Sequence, residues 1–352
     1  MRLPTAYAEF IYTLRNVLQP MEKGASYFGV RDRRHVEHDL DRFADRGLDS
    51  VLHTFSERDR MYYKGTMADI VAASHKQDFT VYLNPWGVGG VFGGEALSAF
   101  IGRHPEARQE LSTGDRVPAA CFNHPTFREF MRGWTREAAE TGADVLFWDE
   151  PHWYITGWYD DGHPEDAWSC QCDRCRERFR ERYDRSMPRE ATERVQEFRE
   201  DCMLEFLEEM MAAGHNMGAE NAICLLPGEN ASHGPREWGR LAASDCLEVL
   251  ATDPYWDVAG EGHDAEEFVR EFSRKVASLA EAHGIRSQIW IQGFHLGGES
   301  ETVEDVRTAT RTVVESGVDS IFMWGYDACR SMSSIACESP DAVWEAYLSE
   351  LP

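Results

Sequence analysis

Two adjacent acids and a cluster of thiols offer the clearest chemistry in this chain. Trp148-Asp149-Glu150-Pro151-His152-Trp153 sets a pair of carboxylates among aromatic rings, and Asp253-Pro254-Tyr255-Trp256 repeats the theme further on. Carboxyl groups in pairs are what acetal cleavage requires: one protonates the leaving oxygen while another attacks the anomeric carbon or activates water. Cys170, Cys172 and Cys175 place three thiols within six residues, enough to wrap one tetrahedral zinc if a fourth thiol arrives from elsewhere. Cys121 is the best fourth ligand, and an ion shared this way would tie one long connection to another.

These groups need a scaffold, and the sequence supplies a repeating one. Short apolar or β-branched runs alternate with amphipathic helical stretches, the rhythm of parallel strands joined by crossover helices. Eight strands are expected: Ser26–Val30, Ser50–Phe55, Phe79–Leu83, Asp144–Trp148, Ala222–Leu226, Leu247–Thr252, Ser287–Ile291 and Ser320–Trp324. Gly47, Gly142, Gly218, Gly284 and Gly317 each precede a strand, as glycines that close helices do. Eight βα units predict an α/β fold of the (β/α)8 TIM-barrel class. No G-x-G-x-x-G follows the first strand, and the glycine run at Gly87–Gly94 reads as a flexible loop. Residues 1–24 read as a helical extension, with Tyr7, Phe10, Ile11, Leu14, Val17 and Leu18 at helical spacing, and 25–352 as the barrel. Long insertions are expected after strand three, over 86–124, and after strand four, over 151–190.

In such a barrel the chemistry gathers at the carboxyl ends of the strands. Reading past each run gives Arg31, Glu57, Asn84 with Trp86, the Asp149-Glu150-Pro151-His152-Trp153 stretch, Glu229, Asp253 with Tyr255 and Trp256, Gln292 with His295, and Tyr326 with Asp327. Trp290 and Trp324 lie close by. Indole faces stack on sugars, and Asp, Glu, Asn, His and Arg bind hydroxyls in pairs, so an oligosaccharide or glycoside is the expected ligand.

Composition narrows the field. The 62 acidic residues against 36 basic ones leave a net charge of −26, which repels nucleic acid and anionic lipid. No apolar run approaches a membrane span. The amino terminus carries no apolar stretch followed by a cleavage site, and the odd number of cysteines, nine, suits a reducing compartment, so a cytoplasmic location is expected. Dinucleotide and Walker fingerprints are missing, and none of the four lysines sits at a strand end, which argues against hydride transfer, phosphoryl transfer and Schiff-base chemistry. Monomer and homo-oligomer both remain open.

Cys121-Phe122-Asn123-His124-Pro125-Thr126-Phe127-Arg128, Trp148-Asp149-Glu150, and the C-x-C-x-x-C of Cys170–Cys175 running into Arg176-Glu177-Arg178-Phe179 together resemble the core of family 42 β-galactosidases and related barrel glycoside hydrolases. The resemblance spans roughly 118–183. It implies a structural zinc on the four cysteines and an acid/base role for Glu150, with Asp149 standing where that family has asparagine. It also implies a nucleophilic glutamate at the end of strand seven, where this chain has Gln292. Asp253 is the first substitute: in barrel enzymes acting on α-glycosides, carboxylates from strands four and six work together, with Asp149 then the nucleophile and Asp253 the acid. Two other readings stay open: a carbohydrate-binding barrel without turnover, and a sugar isomerase or lyase using a metal on His53, His152 and His295.

Overall fold

The computed structural model describes residues 20–158, 162–164, 166–228, 232–258 and 263–352. Eight parallel strands close into a barrel: β1 Glu22–Tyr27, β2 Ser50–Thr54, β3 Thr80–Asn84, β4 Val145–Asp149, β5 Glu220–Leu225, β6 Val249–Thr252, β7 Arg286–Gln292 and β8 Ser320–Trp324. Each pairs with its chain neighbour, and β1 closes on β8 through Glu22↔Ser320 to Ala25↔Met323. The expected fold class is therefore correct.

Strand one differs from its expected position. β1 starts at Glu22, inside the stretch assigned to an extension, and ends before Val30. Its first residues are polar because they sit at the amino-terminal rim, where the Glu22 carboxylate accepts hydrogen bonds from Ser50 at 2.7 Å and Tyr82 at 2.8 Å. The expected helix over Tyr7–Leu18 lies outside the described residues.

Side chains alternate between two cores, as the period of a strand dictates. Outward residues such as Val51, Val81, Leu146 and Ile289 pack under the helices. Inward ones, among them Leu52, Tyr82, Phe147, Ala251, Trp290 and Phe322, fill the barrel. Gly24 is part of this filling, since a Cβ there would meet the Phe322 ring at 2.4 Å. Trp290 forms the floor of the mouth, its ring 5.1 Å from Phe147, 4.8 Å from Phe322 and 6.1 Å from Trp324.

The helices follow their amphipathic pattern. Arg33–Asp45 buries Val36, Leu40 and Phe43 and is capped by Asp32, whose carboxylate accepts from Arg34 N–H. The five helix-closing glycines all have positive φ, between 71° and 90°.

Both insertions carry structure. The first contains the helix Ala99–Arg103 and a hairpin of Arg108–Glu110 with Arg116–Ala120. The second is stitched to it by Gln171 N–H to the Glu110 carbonyl at 2.7 Å and Ser112 N–H to the Trp168 carbonyl at 2.8 Å. The glycine run is not a loose loop: Gly93 N–H donates to the Asp149 carbonyl at 3.0 Å and Gly87 N–H to the Gly93 carbonyl at 2.9 Å, seating it on the end of β4.

Candidate active site

Asp149 is the last residue of β4 and points into the barrel mouth, where its carboxylate accepts from Asn84 Nδ2 at 3.0 Å. Strand alternation would send the next side chain outward. Glu150 instead leaves the strand with φ +39°, a left-handed conformation unusual for glutamate, and its carboxyl comes back over the same mouth. Asp253, one residue past β6, completes the group, its carboxyl close enough to that of Glu150 for each to shift the other's protonation. Gly93 leaves the room for this convergence. A Cβ there would meet Glu150 Oε2 at 2.7 Å and Asp149 Oδ2 at 3.1 Å.

The floor beneath these acids is aromatic and the acids are buried, so desolvation is the main force on them. Burial raises Asp149 well above the usual carboxylate range, the Glu150 charge pushes it further, and the Asn84 amide pulls the other way. Burial likewise raises Glu150 and, more strongly, Asp253, which the Glu150 charge lifts again. Two carboxyls this strongly coupled cannot both ionise cheaply, so the Glu150–Asp253 pair resists losing its last proton and titrates as a unit. Asp253 is the member biased to carry it.

Of the other expected site residues, several join this mouth. Asn84 is fully buried and holds Asp149. Trp86 and Trp324 flank Phe28, with ring centroids 5.6 and 5.2 Å away. Tyr255 sits next to Asp253, its phenol pushed well above the usual range by burial and the Asp253 charge, and its ring meets Phe294 edge-on at 5.1 Å. His152 underlies the site, its Nδ1 2.6 Å from the Glu150 carbonyl, and burial lowers its pKa to about 4. Gln292 occupies the β7 position but its amide is engaged with backbone: Oε1 accepts from Asp257 N–H at 3.3 Å and Nε2 donates to the Phe294 carbonyl at 3.1 Å. His295 is exposed beside the mouth, where its charge acts on Glu95.

Others do structural work. Arg31 makes a two-pronged ion pair with Asp59 at 2.7 and 2.8 Å and also bonds Thr54. Glu57 is buried and anchors the first insertion, accepting from Gly89 N–H, Ser98 Oγ and Phe100 N–H. Trp153 lies in the core against Phe122 and beneath Arg199, Trp256 is buried, and Trp290 is the barrel floor. Tyr326 packs outside the barrel against Phe43 and Trp344, and Asp327 pairs with Arg330. Glu229 lies outside the described residues.

The three histidines offered for a metal do not meet. His53 bonds Ser74 at 2.9 Å within the helix-facing layer, far from the roles of His152 and His295 just given. Among the described residues the one cluster of His, Cys, Asp or Glu that suits an ion is Cys121, Cys170, Cys172 and Cys175.

Sequence reading missed Glu95, whose carboxylate accepts from Trp86 Nε1 at 3.0 Å and whose charge acts on both Asp149 and Glu150. It also missed Gly93. The signal was the glycine run itself, because glycines next to an acidic strand end mark close approach of a side chain.

The cysteine cluster is buried and its ligand atoms lie within 4.8 Å of one another. Cys121 Sγ is 3.4 Å from Cys175 Sγ and 3.6 Å from Cys172 Sγ, near the roughly 3.8 Å edge that zinc–sulfur bonds of 2.3 Å give a tetrahedron. Asn123 Nδ2 donates to Cys175 Sγ at 3.2 Å, the kind of support a thiolate ligand receives. Four soft donors in this arrangement fit a metal ion, and the cysteine cluster draws ligand atoms from both insertions.

No protein-family model matches the chain, and no curated protein matches it in sequence. Solved structures do match in fold. A family 42 β-galactosidase from G. stearothermophilus aligns with TM-score 0.70 at 10% identity over 94% of this chain and 56% of its own, so this chain spans about half of that enzyme. The catalytic domain of a β-amylase from Paenibacillus polymyxa aligns with TM-score 0.62 at 10% identity over 94% and 98%. The PgaB glycoside hydrolase domain from Bordetella bronchiseptica aligns with TM-score 0.60 at 12% identity over 94% and 99%. At these identities the likeness establishes the fold: this chain is a (β/α)8 barrel of the architecture that those glycoside hydrolases use.

Proposed function

We propose that the protein is a glycoside hydrolase or transglycosylase acting at the mouth formed by β3, β4 and β6. The observation that carries the reading is the convergence of the buried, coupled Glu150 and Asp253 carboxyls beside an Asp149 held by Asn84. The pair retains a proton above the pH at which an ordinary carboxyl loses it, which is the property a general acid needs. It donates that proton to the glycosidic oxygen. Asp149, once it has lost its proton, attacks the anomeric carbon or takes a proton from water; burial and the Glu150 charge oppose that ionisation, and the Asn84 amide partly offsets them. Trp86 and Trp324 give the sugar ring a flat apolar wall, and the buried Trp290 floor strengthens charge interactions above it.

The four cysteines hold a structural zinc in this reading. The ion fixes the hairpin of the first insertion against the start of helix Asp173–Tyr183, away from the reacting atoms. An oligosaccharide or glycoside is the substrate. Aryl glycosides in both anomeric configurations test the reading: the wild type turns over at least one, and Asp149→Asn abolishes that turnover while still binding. Full turnover by the folded variant would remove Asp149 from the reaction, and an inert wild type would favour a barrel that binds sugar without cleaving it.

A further inference from the structure

Hydrolysis of a neutral glycoside needs two carboxyls, yet this mouth gathers four. Asp149, Glu150 and Asp253 converge around Gly93 and Asn84, and Glu95 reaches over them from the first insertion, fixed by its bond to Trp86. Among the described residues no arginine or lysine charge acts on Asp149 or Glu150; the charges they feel are acidic. The exposed imidazole of His295 is the cationic-capable group whose charge acts on Glu95. Four carboxyls thus stand above an apolar floor, with no basic charge of the described residues acting on Asp149 or Glu150 to offset those that ionise.

A second observation is independent of this acidity. Two deeply buried oxygen atoms in the mouth have no hydrogen-bond partner: Asn84 Oδ1, on a residue that is 0% exposed, and Asp253 Oδ1, on one that is 3% exposed. Both are acceptors. Orphaned buried acceptors are costly, and what relieves them is a ligand that brings N–H or O–H donors.

We propose that the substrate is an amino sugar carrying a free ammonium group, with Glu95 as the carboxylate that receives it. This rests on the glycoside hydrolase reading and names its substrate class. An ammonium supplies three donors and a positive charge in one group, so it satisfies orphan acceptors and offsets surplus acid together. The chain's net charge of −26 draws such a cation, or a polymer of them, from a distance. N-acetylation removes the charge, and a hydroxyl in place of the amine supplies a donor without it.

The test compares aryl glycosides of 2-amino-2-deoxy sugars with their N-acetyl and 2-hydroxy counterparts, in gluco and galacto configuration and both anomers, near pH 6. Turnover and calorimetric binding are both read on the wild-type protein. The amino compound of at least one set is expected to be favoured about tenfold or more over both counterparts, the discrimination that one charge-assisted hydrogen bond provides. The preference shrinks with added salt, and Glu95→Gln, whose amide oxygen still accepts from Trp86, lowers it by a similar factor. Neutral or acetylated compounds turned over as well as or better than every amino one overturn the inference and leave the hydrolase reading standing. Amino compounds bound preferentially but never cleaved support the inference and overturn the hydrolase reading. Neither binding nor turnover of any compound overturns both.

Discussion

Glu150 and Asp253 follow strands separated in the barrel by β5, yet their buried carboxyls are brought close enough to titrate together. The contact depends on a single backbone departure, the positive φ at Glu150 that reverses the direction a strand residue would take. It turns two acids into one proton-holding unit above the Trp290 floor.

Acids that act as a unit should fail as a unit. Glu150→Gln and Asp253→Asn each lower kcat by about 10²–10⁴, the usual worth of general acid catalysis. The double variant falls little below the worse single one, because the second change removes a partner already disabled. Steady-state rates of the four proteins check this, and multiplicative losses would show that the two carboxyls work separately.

The same pair should cost stability. A carboxyl whose pKa is raised by folding binds more protons folded than unfolded. Its folded form is therefore best supported below the ordinary carboxylate pKa, and that support is lost as pH rises from there through the raised value. Asp253→Asn removes the titration and should raise stability at pH 7 by about 0.5–2 kcal/mol while activity falls. Denaturant melts from pH 4 to 8 read it. A wild-type stability that rises across this range, with no gain in the variant, contradicts the burial account.

Gly93 is small because the carboxylates need its space. Gly93→Ala places a methyl where Glu150 Oε2 stands 2.7 Å away, so the pair must shift. A displacement of that size costs on the order of tenfold or more in kcat with the fold retained. Circular dichroism and kinetics separate the two, and an unaffected kcat would mean that the position of Glu150 is not critical.

Metal analysis should find one zinc per chain. Cys170→Ser releases it and lowers Tm by roughly 5–10 °C, the shift that losing a few kcal/mol produces in a domain of this size. Below the new Tm, turnover stays within a few-fold, because the cluster does not touch the mouth. Loss of all turnover in a folded, zinc-free variant would instead place the ion in the reaction.

Much of this was legible because barrel strands are buried on both faces and read as apolar runs. β8 at Ser320–Trp324 and β2 at Ser50–Thr54 stand where their β-branched and aromatic residues predict. β1 was displaced because Glu22 and Lys23 look like surface residues, while Glu22 is bonded to Ser50 and Tyr82 at the lower rim. The cysteine spacing carried the four-thiol cluster down to Cys121. The rim was harder to read. Proximity to a strand end says nothing about direction: Glu57 and Arg31, expected to bind ligand, are bonded to the first insertion and to Asp59, and Trp153, Trp256 and Trp290, expected to face sugar, are buried. Glu95 was invisible because only the folded insertion brings it over β4.

Leaving-group dependence tests the central claim most directly. Rates are measured for a series of aryl glycosides spanning nitrophenyl to unactivated leaving groups, with wild type and Asp253→Asn. If the Glu150–Asp253 pair delivers the proton, the variant keeps much of its rate on the best leaving groups and loses progressively more as the leaving oxygen becomes more basic. Equal losses across the whole series would mean that the pair protonates nothing in the reaction.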